Sequence, residues 1–343
     1  MQILLTNDDG IQSPGIKSLA KALQSLGQVT VVAPATEQSG ISHALTFRTP
    51  LFVRELTWDN GMKVWSVEGT PADCARIGIL NLCEKRPDIV VSGLNHGLNI
   101  GCNVVYSGTV AGAEEGAILG IDSFAVSLEY DELPPWDKAS ALTTQIIRQI
   151  IDAKVNSERA NLININVPLS ACYSEQPTGV CVVPVDQTPH TDAYSSRQGP
   201  YGVPYYWLTG HVIPGDPTLN TDRVMVKKGY ITVTPLECNR TNRRAIETLE
   251  LAFVAPHHEK PTESFAKTDK DSSPTPFIRV ITDESPDSSE ELDELFEPGI
   301  DLDDPTQASQ DDNADHDYNV SSKPPKGHAK GMIDKSSPYS EGT

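Results

Sequence analysis

The sequence predicts an α/β protein with a mostly parallel sheet that is covered by helices on both faces. Three observations support this prediction. Short apolar runs alternate with segments of helical length and periodicity, as they do in β-α-β units. The helical segments between the runs are long enough to cover a parallel sheet on both faces. Glycine-rich polar segments follow several of these runs, as expected for loops at the carboxyl ends of parallel strands.

The order of the elements is strand, helix, strand from the start of the chain. An apolar run at residues 2–7 precedes a helical segment at residues 15–26 and a second apolar run at residues 29–33. The same pattern continues with helices at residues 70–82, 109–119 and 138–153 and with strands at residues 89–92, 124–128 and 162–167. The polar segments at the strand ends are residues 6–15, 34–42 and 92–101.

The composition and residue pattern of the sequence change after Gly179. Tyrosine, proline and short alternating runs at residues 202–208 and 230–235 predict β-hairpins that extend away from the sheet. Residues 243–253 then have the pattern of a last helix. We therefore expect one large domain, residues 1–254, with a C-terminal β-hairpin extension.

The net charge of −20 is unevenly distributed along the 343 residues. Residues 255–343 hold 21 Asp and Glu against 8 Lys and Arg, a net charge of −13, which leaves −7 for residues 1–254. The composition of residues 255–343 predicts a disordered acidic tail. Within it, residues 289–304 interleave apolar and acidic side chains, as segments that dock a protein partner do.

Charge and hydropathy also exclude some functions. A mildly acidic folded part lacks the basic patch that long DNA or RNA requires. No apolar stretch approaches the roughly 18 residues of a membrane span, and the start of the sequence lacks the pattern of a signal peptide. We therefore expect a cytoplasmic protein that binds neither long nucleic acid nor a membrane.

Two adjacent carboxylates, Asp8 and Asp9, follow the first predicted strand. Like charges side by side repel each other at a partly desolvated strand end, and a divalent cation would remove this conflict. Mg²⁺ or Mn²⁺ fits one or two carboxylates together with neutral oxygen ligands. The structural alternative is that Asp8 caps the helix that begins near Ser13, while Asp9 and Gly10 form a turn.

Other segments supply the groups that such a site would still lack. Ser39 offers a hydroxyl and Asn95 an amide oxygen, although each also fits a simple turn. The small polar stretch Ser107, Gly108 and Thr109 opens a predicted helix. Free N–H groups and the positive end of the helix dipole make this start a phosphate cradle, or the serine is an ordinary helix cap.

These motifs together resemble the SurE family, the stationary-phase survival proteins, whose members are metal-dependent 5′/3′-nucleotidases. The similarity extends over residues 1 to about 254. It is carried in order by residues 3–11, 32–34, 69–74, 91–97, 106–110, 164–168, 206–207, 221–222 and 229–236.

The resemblance implies a Rossmann-like core and roles for particular residues. The implied metal ligands are Asp8, Asp9, Ser39 and Asn95. The implied substrate phosphate lies near Asn95, Ser107, Gly108 and Thr109, with Asp8, Asp9 and Asn95 taking part in catalysis. It also implies one Mg²⁺ or Mn²⁺ ion and a homodimer or homotetramer that partly exchanges C-terminal elements. The implied substrates are nucleoside 5′-monophosphates, with 3′-monophosphates as the further candidate.

The chemistry expected of this site is attack of a metal-activated water on a phosphate ester, with Asp8 or Asp9 orienting the water. The sequence identifies no general acid, because His43 and His96 are equally compatible with structural roles. One departure from the family pattern bears on substrate range. An arginine usually precedes the serine ligand, and here Gln38 precedes Ser39.

Other enzyme classes fit the sequence less well. A LmbE-type zinc deacetylase needs histidine next to the aspartates, where this chain has Thr6 and Asn7. A haloacid-dehalogenase-type phosphatase needs an Asp-x-Asp spacing that residues 7–9 do not provide. The alternative from another class is a catalytically idle scaffold that acts through its acidic tail.

Overall fold

The structure is a computed structural model, and it describes residues 1–153, 161–174, 178–212 and 215–253. The strands of one sheet lie in the order β3-β4-β2-β1-β5-β6-β7-β11-β8, and β9 and β10 pair separately. Pairings between β2, β1, β5, β6 and β7 are all parallel. The strands are β1 (Gln2–Thr6), β2 (Gln28–Pro34), β3 (Val53–Thr57), β4 (Lys63–Val67), β5 (Ile89–His96), β6 (Asp122–Leu128), β7 (Leu162–Val167), β8 (Val180–Val182), β9 (His190–Gln198), β10 (Pro204–Val212) and β11 (Ile231–Leu236).

Helices connect these strands, and the predicted α/β class is confirmed. A π-helical turn, Gly78–Leu82, continues the second helix, so the helix predicted over residues 70–82 consists of two parts. The helices are α1 (Pro14–Leu23), α2 (Pro71–Ile77), α3 (Asn103–Tyr106), α4 (Gly108–Ile118), α5 (Trp136–Asp152), α6 (Leu169–Tyr173), α7 (Asp222–Lys227) and α8 (Arg243–Phe253).

The central strand β1 shows how the two faces of the sheet are filled. Successive side chains of a strand point to opposite faces. Ile3 and Leu5 belong to the apolar cluster that includes Leu19 of α1 and Ile147 of α5. Leu4 belongs to a second cluster with Cys74 of α2. Both faces of β1 are therefore buried, which is why its sequence is apolar without alternation.

The chain order places a crevice beside β1. From β1 the chain continues outward to β2, and it later returns to the opposite side of β1 as β5. The loops after β1 and β5 therefore diverge at the carboxyl ends of these two strands. In open α/β sheets, ligands bind at such a topological switch point.

One part of the sheet differs from the prediction. Residues 230–235 were predicted to form a hairpin, and instead β11 lies in the main sheet, antiparallel to β7 and parallel to β8. The alternation in this strand suggested one exposed face, but Thr232 and Thr234 are as buried as Ile231 and Val233. The predicted hairpin does exist at residues 202–208, where β10 pairs with β9.

The main sheet and the β9–β10 hairpin belong to one compact unit, Met1–Glu247. The predicted domain end at residue 254, the acidic tail and its docking segment at residues 289–304 fall outside the described residues. Among the described helices, none combines the length and hydropathy needed to cross a membrane.

Helix α4 approaches the sheet very closely through glycines. A Cβ atom on Gly116 would lie 2.5 Å from Ser123 Oγ and 2.7 Å from Val90 Cγ2. A Cβ atom on Gly112 would lie 2.8 Å from Ser92 Oγ. These contacts are closer than carbon atoms tolerate, so α4 can lie this near to β5 and β6 only with glycine on its inner face.

The close packing of α4 predicts a cost for Gly116→Ala. The added methyl group overpacks the interface by about 1–3 kcal/mol, which outweighs the gain of at most about 1 kcal/mol in helix propensity. Urea denaturation should therefore show a lower free energy of unfolding. The control is Ile118→Ala on the same helix, because Ile118 is 53% exposed and its truncation should change stability by less than about 0.5 kcal/mol. Equal stabilities of Gly116→Ala and the native protein would show that α4 shifts freely.

Candidate functional site

The loop after β1 brings Asp8 and Asp9 to the switch point. Asn7 holds the loop, since its side-chain amide donates to the Gly10 carbonyl at 3.0 Å and to Ser13 Oγ at 3.0 Å. Ser13 caps α1 by accepting a hydrogen bond from the Ile16 amide. The helix cap is therefore Ser13, and the structural alternative for Asp8 is wrong.

Asp8 is nearly buried, with 5% of its surface exposed. Its Oδ1 accepts a hydrogen bond of 2.7 Å from the hydroxyl of Thr109 in α4. Burial raises the pKa of Asp8 to about 6, with a further contribution from the charge of Asp9, while the bond from Thr109 opposes this shift. A carboxylate in this position lacks sufficient compensation for its charge within the protein.

Asp9 lies beside it and is less buried. Its Oδ2 accepts the backbone N–H of His96 at 3.2 Å, which connects the β1 loop to the end of β5. Burial raises the pKa of Asp9, and the nearby charge of Glu37 adds to this effect. Two carboxylates with raised pKa values therefore face the same crevice.

Ser39 reaches the site because its loop is bonded to the β1 loop. The amide of Gln38 donates to the carbonyl of Asp8 at 2.7 Å. The hydroxyl of Ser39 donates to Glu37 Oε1 at 2.7 Å, so the lone pairs of its Oγ can face another ligand.

Asn95 reaches the site because β5 is irregular near its end. The register of β5 against β6 shifts between Ser92 and Asn95, which redirects the side chains beyond the shift. The Asn95 side-chain amide donates from Nδ2 to the Gly97 carbonyl at 2.7 Å. This bond orients the group so that its acceptor, Oδ1, points away from Gly97.

The start of α4 lies directly against Asp8. A Cβ atom on Gly108 would be 2.9 Å from Asp8 Cβ and 3.2 Å from its Oδ2, so only glycine allows this approach. Ser107 caps the helix, because its Oγ accepts the Val110 amide at 3.0 Å. The N-terminus of α4 therefore presents the positive end of its dipole at the crevice. Thr109 differs from the expectation in one respect, since both its hydroxyl and its backbone N–H interact with Asp8.

A cavity of about 440 Å³ contains these groups. Five of the predicted site residues line it together: Asp8, Asp9, Ser39, Asn95 and Ser107. Gly108 and Thr109 contact Asp8 and are not among the lining residues. His96, which the sequence analysis considered as a general acid, also lines it. Sequence reasoning assigned no role to the other lining residues, which are Glu37, Gly40, Asn99, Asn103, Tyr106 and Tyr130. A larger groove of about 610 Å³ between α1 and the start of α5 contains none of the predicted site residues.

Asn99 supports the site from beneath. Its Nδ2 donates to Thr109 Oγ1 at 3.3 Å and to Ser127 Oγ at 2.9 Å. Because Thr109 accepts this bond, its own proton is directed to Asp8. Asn99 is held in turn by Asn166, whose Oδ1 accepts a hydrogen bond of 2.8 Å from the backbone N–H of Asn99. The position of Asn99 shortly after Asn95, at the same strand end, is the sequence signal that indicates this role.

The two histidines of the neighbouring loops have different environments. His43 is outside the cavity and lies between two carboxylates of α4, at 3.0 Å from Glu114 and 2.8 Å from Glu115. The hydrogen bonds that the ring donates to these carboxylates raise the pKa of His43 to about 9. The imidazolium thus fastens the Ser39 loop to α4. His96 lines the cavity, and its Nε2 is 2.9 Å from the carbonyl oxygen of Asp131.

The donor groups at the crevice fit a hard divalent cation. Within the described residues, no group of three or more His, Cys, Asp or Glu could hold a metal. The available donors are instead two carboxylates, a hydroxyl and an amide oxygen. This all-oxygen set suits Mg²⁺ or Mn²⁺ and does not suit zinc, which favours histidine and cysteine.

Fold and crevice define an α/β protein with an acidic, oxygen-lined site at its switch point, and comparisons identify the family. The family model described as survival protein SurE matches residues 3–191. The 5′-nucleotidase SurE of Rhodopirellula baltica is 43% identical over 242 residues, which is 70% of this chain and 94% of the relative. The 5′-nucleotidase SurE of Thermosipho melanesiensis is 40% identical over 250 residues, 73% of this chain and 96% of the relative.

A solved structure agrees with the sequence relatives. The crystal structure of SurE protein from Aquifex aeolicus matches with a TM-score of 0.62 and 36% identity, over 74% of this chain and 99% of that chain. The chain belongs to the SurE family, and the resemblance seen in its motifs is confirmed.

The contacts of His43 predict a pH-dependent stability. The pKa of His43 is about 9 in the folded state and near the ordinary histidine value of 6.5 when unfolded. Its contribution is therefore complete below pH 6.5 and is lost as the pH rises through 9. From these values we expect His43→Gln to cost about 2–3 kcal/mol more at pH 6.5 than at pH 9.5.

Urea denaturation of the native protein and His43→Gln at both pH values measures this difference. Groups that titrate in both proteins cancel in the comparison. A cost of His43→Gln that is the same at the two pH values would contradict the proposed ion pairs.

Proposed function

We propose that this chain is a metal-dependent phosphomonoesterase that hydrolyses nucleoside 5′-monophosphates to nucleoside and phosphate. The observation that carries the proposal is the contact between Gly108 and Asp8. It places a group that attracts anions, the start of α4, against a pair of carboxylates that attracts a cation. A phosphate ester bound together with a divalent cation satisfies both demands in one cavity.

The cation would be held by Asp8, Asp9, Ser39 and Asn95, as the family resemblance implies. The chemistry that a divalent cation supplies in such a site is a lower pKa of the attacking water and neutralisation of charge on the phosphoryl oxygens. Mg²⁺ and Mn²⁺ both fit the oxygen donors, and the bound metal is one of these two.

The protein's own groups orient the reactants. The hydroxyl of Thr109 holds Asp8, and the backbone of His96 holds Asp9, so both carboxylates have fixed directions. Asp9 is the more exposed of the two, and it orients the attacking water by accepting a hydrogen bond from it. The positive end of the α4 dipole stabilises the charge that develops on the phosphoryl oxygens.

The leaving nucleoside takes its proton from water in this proposal. His43 is bonded to two glutamates and lies outside the cavity. His96 must carry its proton on Nε2, because the Asp131 carbonyl can only accept, and that proton is directed away from the cavity.

The charges of the cavity favour monophosphates. Three carboxylates line it, from Asp8, Asp9 and Glu37, and the described lining residues include no Lys or Arg. Gln38, which stands where relatives usually carry arginine, is not among them. Additional phosphate groups on a substrate would therefore lack a cationic partner. The relatives' name, 5′-nucleotidase, supports the 5′-position, and hydrolysis at the 3′-position is the second candidate.

Other expectations from the sequence stay proposals. A homodimer or homotetramer is supported by the β9–β10 hairpin, which exposes Tyr206, Trp207 and Leu208 within the described part of the chain. The idle-scaffold alternative and a protein partner of the acidic tail depend on residues beyond 253, and the cytoplasm remains the expected location. The complete set of oxygen donors favours the enzyme.

Asp8→Asn should separate activity from stability. We expect release of phosphate from adenosine 5′-monophosphate with Mn²⁺ or Mg²⁺ to fall by at least about two orders of magnitude. Without metal, the variant should nevertheless have a higher free energy of unfolding than the native protein at pH 8. Because folding raises the pKa of Asp8 to about 6, the charged carboxylate destabilises the fold by about 3 kcal/mol above that pH. Below pH 4 the carboxyl group is protonated in both states, and this cost is absent.

Phosphate release, with and without a chelator, and urea denaturation at pH 8 and pH 4 measure both effects. Asp59→Asn in the exposed turn between β3 and β4 is the matched control and should change neither. Full activity of Asp8→Asn would refute the proposed function.

The cavity charges predict discrimination between nucleotides. The ratio of kcat/KM for adenosine 5′-monophosphate to that for the 5′-diphosphate should be at least about 10, a difference of about 1.4 kcal/mol. Glu37→Gln removes one negative charge and keeps an acceptor for Ser39, so it should raise kcat/KM for the diphosphate more than for the monophosphate. An unchanged ratio in Glu37→Gln would show that cavity charge does not set this preference.

A further inference from the structure

An exposed aromatic ring, Tyr130, lies at the edge of the cavity. It follows β6 by two residues, so it projects from the same edge of the sheet as the carboxylates. The ring is stacked on His96, with centroids 4.5 Å apart and planes inclined by 16°. His96 also contacts Trp136 edge-on at 5.2 Å. Despite these contacts Tyr130 remains 63% exposed.

Two hydrogen bonds of His96, in addition to its edge-on contact with Trp136, hold the support behind Tyr130 in place. The imidazole donates from Nε2 to the Asp131 carbonyl at 2.9 Å, next to Tyr130 in the chain. The backbone N–H of His96 donates to Asp9 Oδ2 at 3.2 Å. The ring stack is thus connected both to the carboxylate loop and to the turn that carries Tyr130.

Packing within the protein does not account for an exposed ring with such a support. His96 covers one face of the Tyr130 ring, and both residues line the cavity that holds Asp8 and Asp9. An aromatic face beside a phosphate site is suited to a planar ring of the same molecule, because aromatic rings stack in offset, nearly parallel pairs. Stacking is tolerant of base identity, since every nucleobase presents a π face.

We propose that Tyr130, supported by His96, is a stacking platform for the nucleobase of the substrate. The inference rests on the proposed function and identifies the part of the site that distinguishes a nucleotide from other phosphate esters. Purines, which have the larger π surface, stack more strongly than pyrimidines on this platform. The platform leaves the chemistry to the carboxylates and the start of α4.

The test compares substrates with and without a base. Tyr130→Ala should raise KM for adenosine 5′-monophosphate about 10-fold, as expected for the loss of one base–aromatic contact. The kcat/KM for ribose 5-phosphate should stay within about twofold, because this ester has no base to stack. Tyr130→Phe should behave as the native enzyme, and the preference for adenosine over uridine 5′-monophosphate should diminish in Tyr130→Ala.

Leu133→Ala is the control for the loop itself, because Leu133 is exposed on the same turn and does not line the cavity. It should leave both substrates unaffected. Parallel losses for the nucleotide and ribose 5-phosphate in Tyr130→Ala would mean that the ring only supports the site, and this outcome overturns the platform. An unchanged KM for the nucleotide also overturns it.

Binding of adenosine, measured by calorimetry, keeps the platform testable apart from the reaction. We expect Tyr130→Ala to weaken adenosine binding about 10-fold relative to the native protein and to Tyr130→Phe. If the native protein hydrolyses neither phosphate ester, the proposed function fails. The adenosine affinities of the native protein and Tyr130→Ala still test the platform in that case. Equal adenosine affinities of the native protein and Tyr130→Ala would refute it.

Discussion

The carboxylate of Asp8 is the constraint on which the site depends. It stands at the end of the central strand, almost without contact to water, beside a second carboxylate. The fold compensates its charge only in part, through the hydroxyl of Thr109 and the positive end of α4. The remaining cost is visible in the pKa of about 6. A site that retains such a cost is characteristic of function, because packing alone would favour an apolar residue there.

The geometry of α4 follows from the same constraint. Its first residue, Gly108, contacts Asp8, and further along the helix Gly112 and Gly116 allow close contact with β1, β5 and β6. The glycines that seat the helix on the sheet therefore also set the distance between its N-terminus and the carboxylates. Asn99 strengthens this arrangement by directing the Thr109 hydroxyl to Asp8. Fold stability and site geometry are thus determined by the same set of contacts.

The polar groups around the cavity divide into those that can contact a substrate and those that hold loops. His43 belongs to the second group, since Glu114 and Glu115 engage both of its nitrogens. His96 connects the groups, because its backbone orients Asp9 while its ring supports Tyr130. Because the described lining residues include no Lys or Arg, they offer no cationic side chain to an anion in the cavity.

The sequence by itself determined the α/β class and the neighbourhood of the site. Both follow from local patterns: apolar runs form buried strands, and polar residues directly after parallel strands gather at one edge of the sheet. This rule predicts that Asp8, Asp9, Ser39 and Asn95 lie close together. Applied to β6, it also indicates Tyr130. The family resemblance added the ligand roles, which remain a proposal.

Only the tertiary structure decided features that depend on distant parts of the chain. The place of β11 in the main sheet depends on pairing with β7 and β8, because its alternating pattern fits an exposed hairpin equally well. The roles of Thr109 and His43 depend on partners about 100 and 70 residues away. The physical reason is that periodicity records which face of an element is buried, whereas hydrogen-bond partners and close approaches are set by how the elements pack.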